Sequence, residues 1–197
     1  MERLIYTAVS GAELNQTALR VSANNLANVN TPGFKADIEQ AQAMMVAGDG
    51  FRSRYQAQLL PVFTSLSNGP VQQTGRDLDV VLSDGGFLAV TDAEGNEAYT
   101  RNGSFQLDGQ GNLVTQEGYS VIGTNGPINV PPDHRLSFEG DGSVSAIPIS
   151  GDTNVVQLGR LKLVNIPEGE INRGDDGLFR AANGDPAEAD LNVRVAG

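Results

Sequence analysis

Side chains able to run acid–base, nucleophilic or metal chemistry are sparse in this sequence. Asp77 and Asp79 lie two apart in an extended stretch, so they would share one strand face like a general acid–base pair. Few aromatics are available to stack a sugar, and we expect both to be solvent-facing positions around Leu78 and Val80. Asp108-Gly109-Gln110-Gly111-Asn112 superficially suggests a calcium loop. Gln110 stands where a ligand is needed and Leu113 where a glycine is needed, so a hairpin turn is expected there. His134, the single histidine, reads as an exposed loop residue within Pro131-Pro132-Asp133-His134-Arg135. The absence of cysteine excludes disulfides, thiolate nucleophiles and thiolate metal sites. One histidine also excludes paired-histidine metal motifs. No glycine loop of the phosphate-binding kind occurs. The sequence therefore reads as a non-enzyme that calls for no cofactor and no metal.

The polar groups with a definite pattern are amides. Ser22-Ala23-Asn24-Asn25-Leu26-Ala27-Asn28-Val29-Asn30-Thr31-Pro32-Gly33-Phe34-Lys35 puts Asn24, Asn25 and Asn28 at the end of an apolar run, followed by a sharp Pro-Gly exit. These amides can hydrogen-bond across a packed helix cluster or satisfy the last carbonyls of their own helix. In an apolar seam they would fix register at some cost in stability.

The element that must position them spans residues 1–30. Ile5, Ala12, Leu19 and Leu26 recur every seven residues, and Ala8, Val9, Ala18, Ala23 and Val29 widen the stripe. This predicts one amphipathic helix, with Glu2 at the positive end of its dipole and Pro32-Gly33 ending it. Asn15, Gln16 and Ser22 occupy the second stripe position, which suits close packing among several helices better than a two-stranded coiled coil. A lone helix of this length is marginal in water. The pattern leaves two partners open, its own chain or other molecules.

Residues 31–75 read as a connector with extended structure. Ala36–Ala47 is compatible with a short helix before Gly48-Asp49-Gly50. Phe51–Thr64 reads as extended, with Pro61 confining it to an edge or irregular strand, and Ser67-Asn68-Gly69-Pro70 is a turn. From residue 76 the period changes to two. Glycines 95, 103, 111, 118 and 126 fall every seven or eight residues beside other turn formers. Val155–Ile166 is the longest apolar stretch, with a phase shift that predicts a bulge at Gly159-Arg160. Residues 76–197 therefore read as an antiparallel β domain, a sandwich or partly open barrel, and the chain as mainly β.

Composition agrees. With 24 Gly, 9 Pro and only 6% aromatic residues, the chain suits many short strands and turns. The formal net charge is -11, and all of it falls in residues 76–197, since residues 1–75 balance to zero. That charge argues against nucleic acid and anionic lipid as partners, and no apolar run is long enough to insert in a membrane. No cleavable secretory signal opens the chain, which leaves routes without a cleaved leader.

The helix-exit motif quoted above closely resembles the signature of the bacterial flagellar rod and hook proteins, an Ala-Asn-Asn-Leu-Ala-Asn pattern followed by Thr-x-Gly-Phe. The likeness continues through Gly69-Pro70, Thr74-Gly75-Arg76-Asp77-Leu78-Asp79-Val80, Gly86-Phe87-Leu88-Ala89-Val90, Tyr99-Thr100-Arg101-Asn102-Gly103-Ser104-Phe105 and Gly111-Asn112-Leu113-Val114-Thr115 to Gly118-Tyr119. The opening Met1–Ala8 and the Gly75–Asp79 wording sit closer to the proximal-rod branch than to the distal-rod or hook branches.

The resemblance implies a structural rod subunit, polymerised into the axial tube that carries torque across the periplasm. On it, Ile5, Ala12, Leu19, Asn24, Asn25, Leu26, Asn28 and Val29 become the assembly interface. Implied partners are further copies of the chain, neighbouring rod proteins and the flagellum-specific type III export apparatus. Members of the family end in a second long helix that packs with the first. Here Asp190–Gly197 alternates like a strand, so we expect a shortened or processed chain whose helix is frayed or packed on another molecule. The rival reading is a secreted β-rich binding module with residues 1–30 as a dimerisation helix.

Overall fold

Helix α1 runs from Glu2 to Ala27 in the computed structural model, which describes residues 2–46, 55–83, 85–150 and 154–196. It stops five residues before Pro32. The reason lies in the amides. Asn28 Nδ2 donates to the Asn24 carbonyl at 3.0 Å, and the Asn28 N–H reaches the same carbonyl at 3.2 Å. Tighter turns follow, with Val29 N–H on Leu26 and Thr31 N–H on Asn28. The Asn28 side chain thus adds a second bond to the last carbonyl of the regular ladder, and the chain leaves the helix from there.

The chain divides into two units, residues 1–67 and 68–197. In the first, α1 is followed by β1 (Asp37–Ile38), β2 (Ala41–Met45), β3 (Tyr55–Leu59) and β4 (Phe63–Thr64). β2 and β3 form a five-pair antiparallel ladder from Ala41↔Leu59 to Met45↔Tyr55, and β1 pairs with β4. The helix lies on β3 and β1. The short helix expected within Ala36–Ala47 is not formed over 37–45. Ala, Gln and Met favour helices locally, but the cross-strand ladder overrides that weak preference. The turn expected at Gly48-Asp49-Gly50, and the first four residues of Phe51–Thr64, lie outside the described residues.

The second unit holds β5 (Val81–Leu82), β6 (Gly86–Thr91), β7 (Glu97–Thr100), β8 (Phe105–Leu107), β9 (Leu113–Thr115), β10 (Ser120–Gly123) and β11 (Gly126–Pro127). It continues with β12 (His134–Phe138), β13 (Ser143–Pro148), β14 (Val156–Arg160), β15 (Leu163–Asn165), β16 (Ile171–Arg173), β17 (Phe179–Ala181) and β18 (Val195–Ala196). A nine-stranded antiparallel sheet has the order β16-β17-β7-β6-β10-β9-β8, with β15 beside β6 and β11 beside β10. β12-β13-β14 form a second sheet, and β18 pairs with β5. The expected mainly β antiparallel architecture is found, without a closed barrel.

Val155–Ile166 does not run as one strand. β14 belongs to the three-stranded sheet and β15 to the nine-stranded one, so the chain turns a corner between them. The register shift pairs Val144 with Gly159 but Ser145 with Gln157, which leaves Leu158 as the extra residue. The bulge therefore sits one position before the expected Gly159-Arg160. Four of the five rhythmic glycines (95, 111, 118 and 126) have positive φ, the first three in turns and Gly126 at the start of β11. Gly103 does not; it is a point of close backbone approach.

The apolar core lies wholly in the second unit among the described residues, built on Phe87, Leu88, Val90, Phe105, Leu113 and Leu163. Phe87 meets the Phe179 ring edge-on at 5.3 Å, and the Arg101 guanidinium lies over its face at 5.6 Å.

Tyr99 is the polar member of this core. Its hydroxyl donates to Glu97 Oε1 at 2.9 Å and accepts the Ala187 N–H at 2.6 Å, while Lys162 Nζ pairs with Glu97 at 2.7 Å. Burial, with the Glu97 carboxylate adding to it, pushes the phenol up to about 12. An unfolded tyrosine titrates near 10, so this contribution to stability is whole below pH 10 and is lost as pH rises towards 12. Urea unfolding between pH 9 and 12 should show a steep loss of stability, and Tyr99→Phe should flatten it.

Candidate assembly surface

An α-helix turns 100° per residue, so positions seven apart nearly superpose and positions two further on face the opposite side. α1 uses both sides. Gly11, Leu14, Ala18, Val21 and Asn25 are half-buried, at the i, i+3, i+4, i+7 spacing of a helix face resting on its own unit. The opposite stripe stays in solvent: Ile5 is 59% exposed, Leu19 71% and Leu26 73%, with Ala12 exposed between them, while Val29, 67% exposed, lies past the helix end. The helix is thus apolar on two faces, and its own chain covers one. Leu14 and Val21 escaped the sequence reading because the seven-residue repeat from Ile5 is the stronger signal and masks a second one offset from it.

The three amides separate. Asn24 is exposed. Asn28 is half-buried and takes the Asn24 carbonyl, while its Oδ1 accepts from the Thr31 hydroxyl at 3.3 Å. Asn25 turns inward: Nδ2 donates to the Asp37 carbonyl at 2.8 Å, and the Asp37 N–H donates back to Oδ1 at 3.0 Å. That partner, twelve residues away, was not among the two options the sequence offered.

No apolar side chain in the described part of residues 1–67 is fully buried; Lys35, 7% exposed, is the only fully buried residue there. Among the described residues, thirteen of the twenty large hydrophobic side chains found exposed lie in this unit. They include Met44, Met45, Tyr55 and Phe63 on the strands. A two-stranded ribbon and one helix with so much apolar surface in water need further cover.

The second unit carries its charge differently. Asp92 and Asp176 flank Arg180 at 2.8 and 2.7 Å. The guanidinium holds both carboxyls below their usual range, and the two carboxylates raise Arg180 in return.

The sequence candidates for chemistry resolve into structural roles. Asp77 and Asp79 are not on a strand. Asp77 pairs with Arg135 at 3.6 Å, whereas Asp79 accepts from Ser104 Oγ at 2.8 Å and pairs with Arg76 at 3.2 Å. A cavity of about 420 Å³ opens beside them, and these pairs neutralise much of the charge along it. Asp108 closes the β8–β9 turn, its Oδ1 accepting the N–H groups of Gln110 and Asn112, both at 2.8 Å. Hydrogen bonds from Asn112 lead in holding its carboxyl below the usual range. His134 begins β12 and is half-buried, not an exposed loop residue; its Nδ1 bonds the Pro132 carbonyl at 2.7 Å. Among the described residues, no helix is long and apolar enough to cross a membrane.

Comparison with known proteins places these parts in context. Residues 5–35 match the family described as "Flagella basal body rod protein", and residues 82–146 match the "Flagellar hook protein FlgE/F/G D1 domain". The chain is 42% identical over 204 residues to the flagellar basal-body rod protein FlgF of Escherichia coli (strain K12), covering 99% of this chain and 80% of that one. Identity to the Salmonella typhimurium FlgF is 40%, with the same coverage. The Bacillus subtilis basal-body rod protein FlgG is 36% identical over 169 residues, covering 78% of this chain and 64% of that protein.

Proposed function

This chain belongs to the flagellar basal-body rod protein family and is a structural subunit of that rod, and on this premise we propose how its parts divide the work. Residues 1–30 contribute to the inner layer of a helical tube through Ile5, Ala12, Leu19, Asn24, Leu26 and Val29. Asn25 and Asn28 hold the shape of the helix exit. Residues 31–75 make contacts between subunits, and residues 76–197 form an acidic outer shell. The observation that carries this reading is the exposed apolar stripe on a helix whose opposite face is already covered.

Partners are other copies of the chain and neighbouring rod proteins, reached by flagellar export. The protein is not an enzyme. Head-to-tail contacts that repeat without closing build a filament, and torque is then shared among many equal interfaces. Residues 1–75 balance to zero charge, so copies can pack there without long-range repulsion, while the net -11 of residues 76–197 remains in the solvated shell.

Electron microscopy of basal bodies from cells lacking this chain tests the reading. Rods that stop short are expected; complete rods on swimming cells would overturn it.

A further inference from the structure

Asn25 and Lys35 are engaged in a way that contact between subunits does not require. The Asn25 amide exchanges two hydrogen bonds with the backbone of Asp37, as a strand partner would. Asp37 in turn pairs with Thr64 in the β1–β4 ladder, and its Oδ1 accepts from Thr64 Oγ1 at 2.7 Å. Beside it the Ser65 N–H reaches the Ala36 carbonyl at 2.9 Å. Buried Lys35 completes the set: Nζ donates to the Leu66 carbonyl at 3.0 Å and the Ser67 carbonyl at 2.6 Å. Residues 35–37 are therefore a hub, tied to the helix end on one side and to residues 64–67 on the other.

We propose that Asn25 and Lys35 are positioning residues that staple an elbow between α1 and the strands of residues 37–64, fixing the direction in which the exposed stripe is presented to a neighbouring subunit. The proposal rests on the assembly reading above. Its physical basis is the missing core. With no apolar side chain fully buried in the described part of this unit, non-directional burial cannot fix the helix angle, and directional hydrogen bonds must. Asparagine suits the task because one side chain offers an acceptor to the N–H and a donor to the carbonyl of a single residue. Aspartate lacks the donor. Lysine suits the other staple because one compact head carries three donors, enough for two carbonyls.

The chain has no cysteine, so spin labels at Gln16→Cys on α1 and Gln56→Cys on β3 report the elbow directly. The otherwise unsubstituted protein should give one narrow distance distribution. Asn25→Leu and, separately, Lys35→Met should each broaden it, with the closed–open balance moving on the order of tenfold per staple. Melting of residues 68–197 should not change, and swimming of cells carrying either substitution should fall. In the protein with native Asn25 and Lys35, the Asp37 amide should exchange on the order of tenfold more slowly than an unstructured amide.

An Asp37 amide exchanging at the unstructured rate, or a distribution that stays narrow in both variants, overturns the elbow. So does a broadened distribution in cells that swim normally, and that result leaves the rod assignment intact. Failure of the rod assignment reads out separately, as complete rods in cells lacking the chain.

Discussion

Placing Leu19→Asp and Leu26→Asp together in the intact protein is expected to abolish swimming and stop rod assembly, while melting of the β unit moves by no more than about 2 °C. Both leucines are more than two-thirds exposed, so neither change removes a contact within the chain's own core. In an assembled tube the account reverses. Burying a leucine side chain contributes roughly 1.5–3 kcal/mol, so losing two forfeits about 3–6 kcal/mol per subunit. A carboxylate brought into that seam without a partner costs more still. Each 1.4 kcal/mol is a tenfold change in equilibrium constant, so association weakens by about a hundredfold at the least. The defect recurs at every subunit, which a filament cannot average away. Swimming in soft agar and microscopy of basal bodies measure the effect; normal swimming with complete rods would mean that the stripe is not an interface.

The contrast between the two units shows what was legible in the sequence. Periods of seven and two are carried by each element's own residues, so the helix and the mainly β remainder could be read directly. Partners are another matter. Asn25 is tied to Asp37 and Lys35 to Leu66 and Ser67, and nothing near Asn25 or Lys35 announces those bonds. The same blindness hid the β2–β3 ladder, because helix propensity is local while the pairing of Ala41 with Leu59 crosses eighteen residues. It also hid the corner after Arg160. An apolar run looks alike whether it stays in one sheet or passes to a second. The Asp77–Asp79 pair failed for a related reason: a spacing of two places side chains together only on a regular strand, and two different arginines claimed the carboxylates separately, distant Arg135 taking Asp77 and neighbouring Arg76 taking Asp79.

Gly103→Ala carries the largest expected loss of stability, though Gly103 looks like any other glycine in the turn rhythm. Its φ is not in the left-handed region, so backbone strain is not the reason. Space is. A Cβ built there would stand 1.9 Å from the Val80 carbonyl oxygen and 2.9 Å from the Val80 carbonyl carbon. Those are backbone atoms held in place, since the Val80 N–H donates to the Gly103 carbonyl at 2.9 Å and the Phe105 N–H donates to the Leu78 carbonyl at 2.9 Å. Neither side can yield without parting the 78–80 strap from β8 and loosening the cover over Phe105. We expect a loss of about 3 kcal/mol, the upper range for forcing a methyl into packed space. For a unit of this size that lowers the melting temperature by about 10 °C. Gly118→Ala is the control. Its φ is +94° with nothing within 4 Å of the added carbon, so only the left-handed backbone strain of about 1–2 kcal/mol applies. Thermal unfolding followed by far-UV circular dichroism should rank Gly103→Ala well below Gly118→Ala; equal losses would show that the two glycines serve the same turn role.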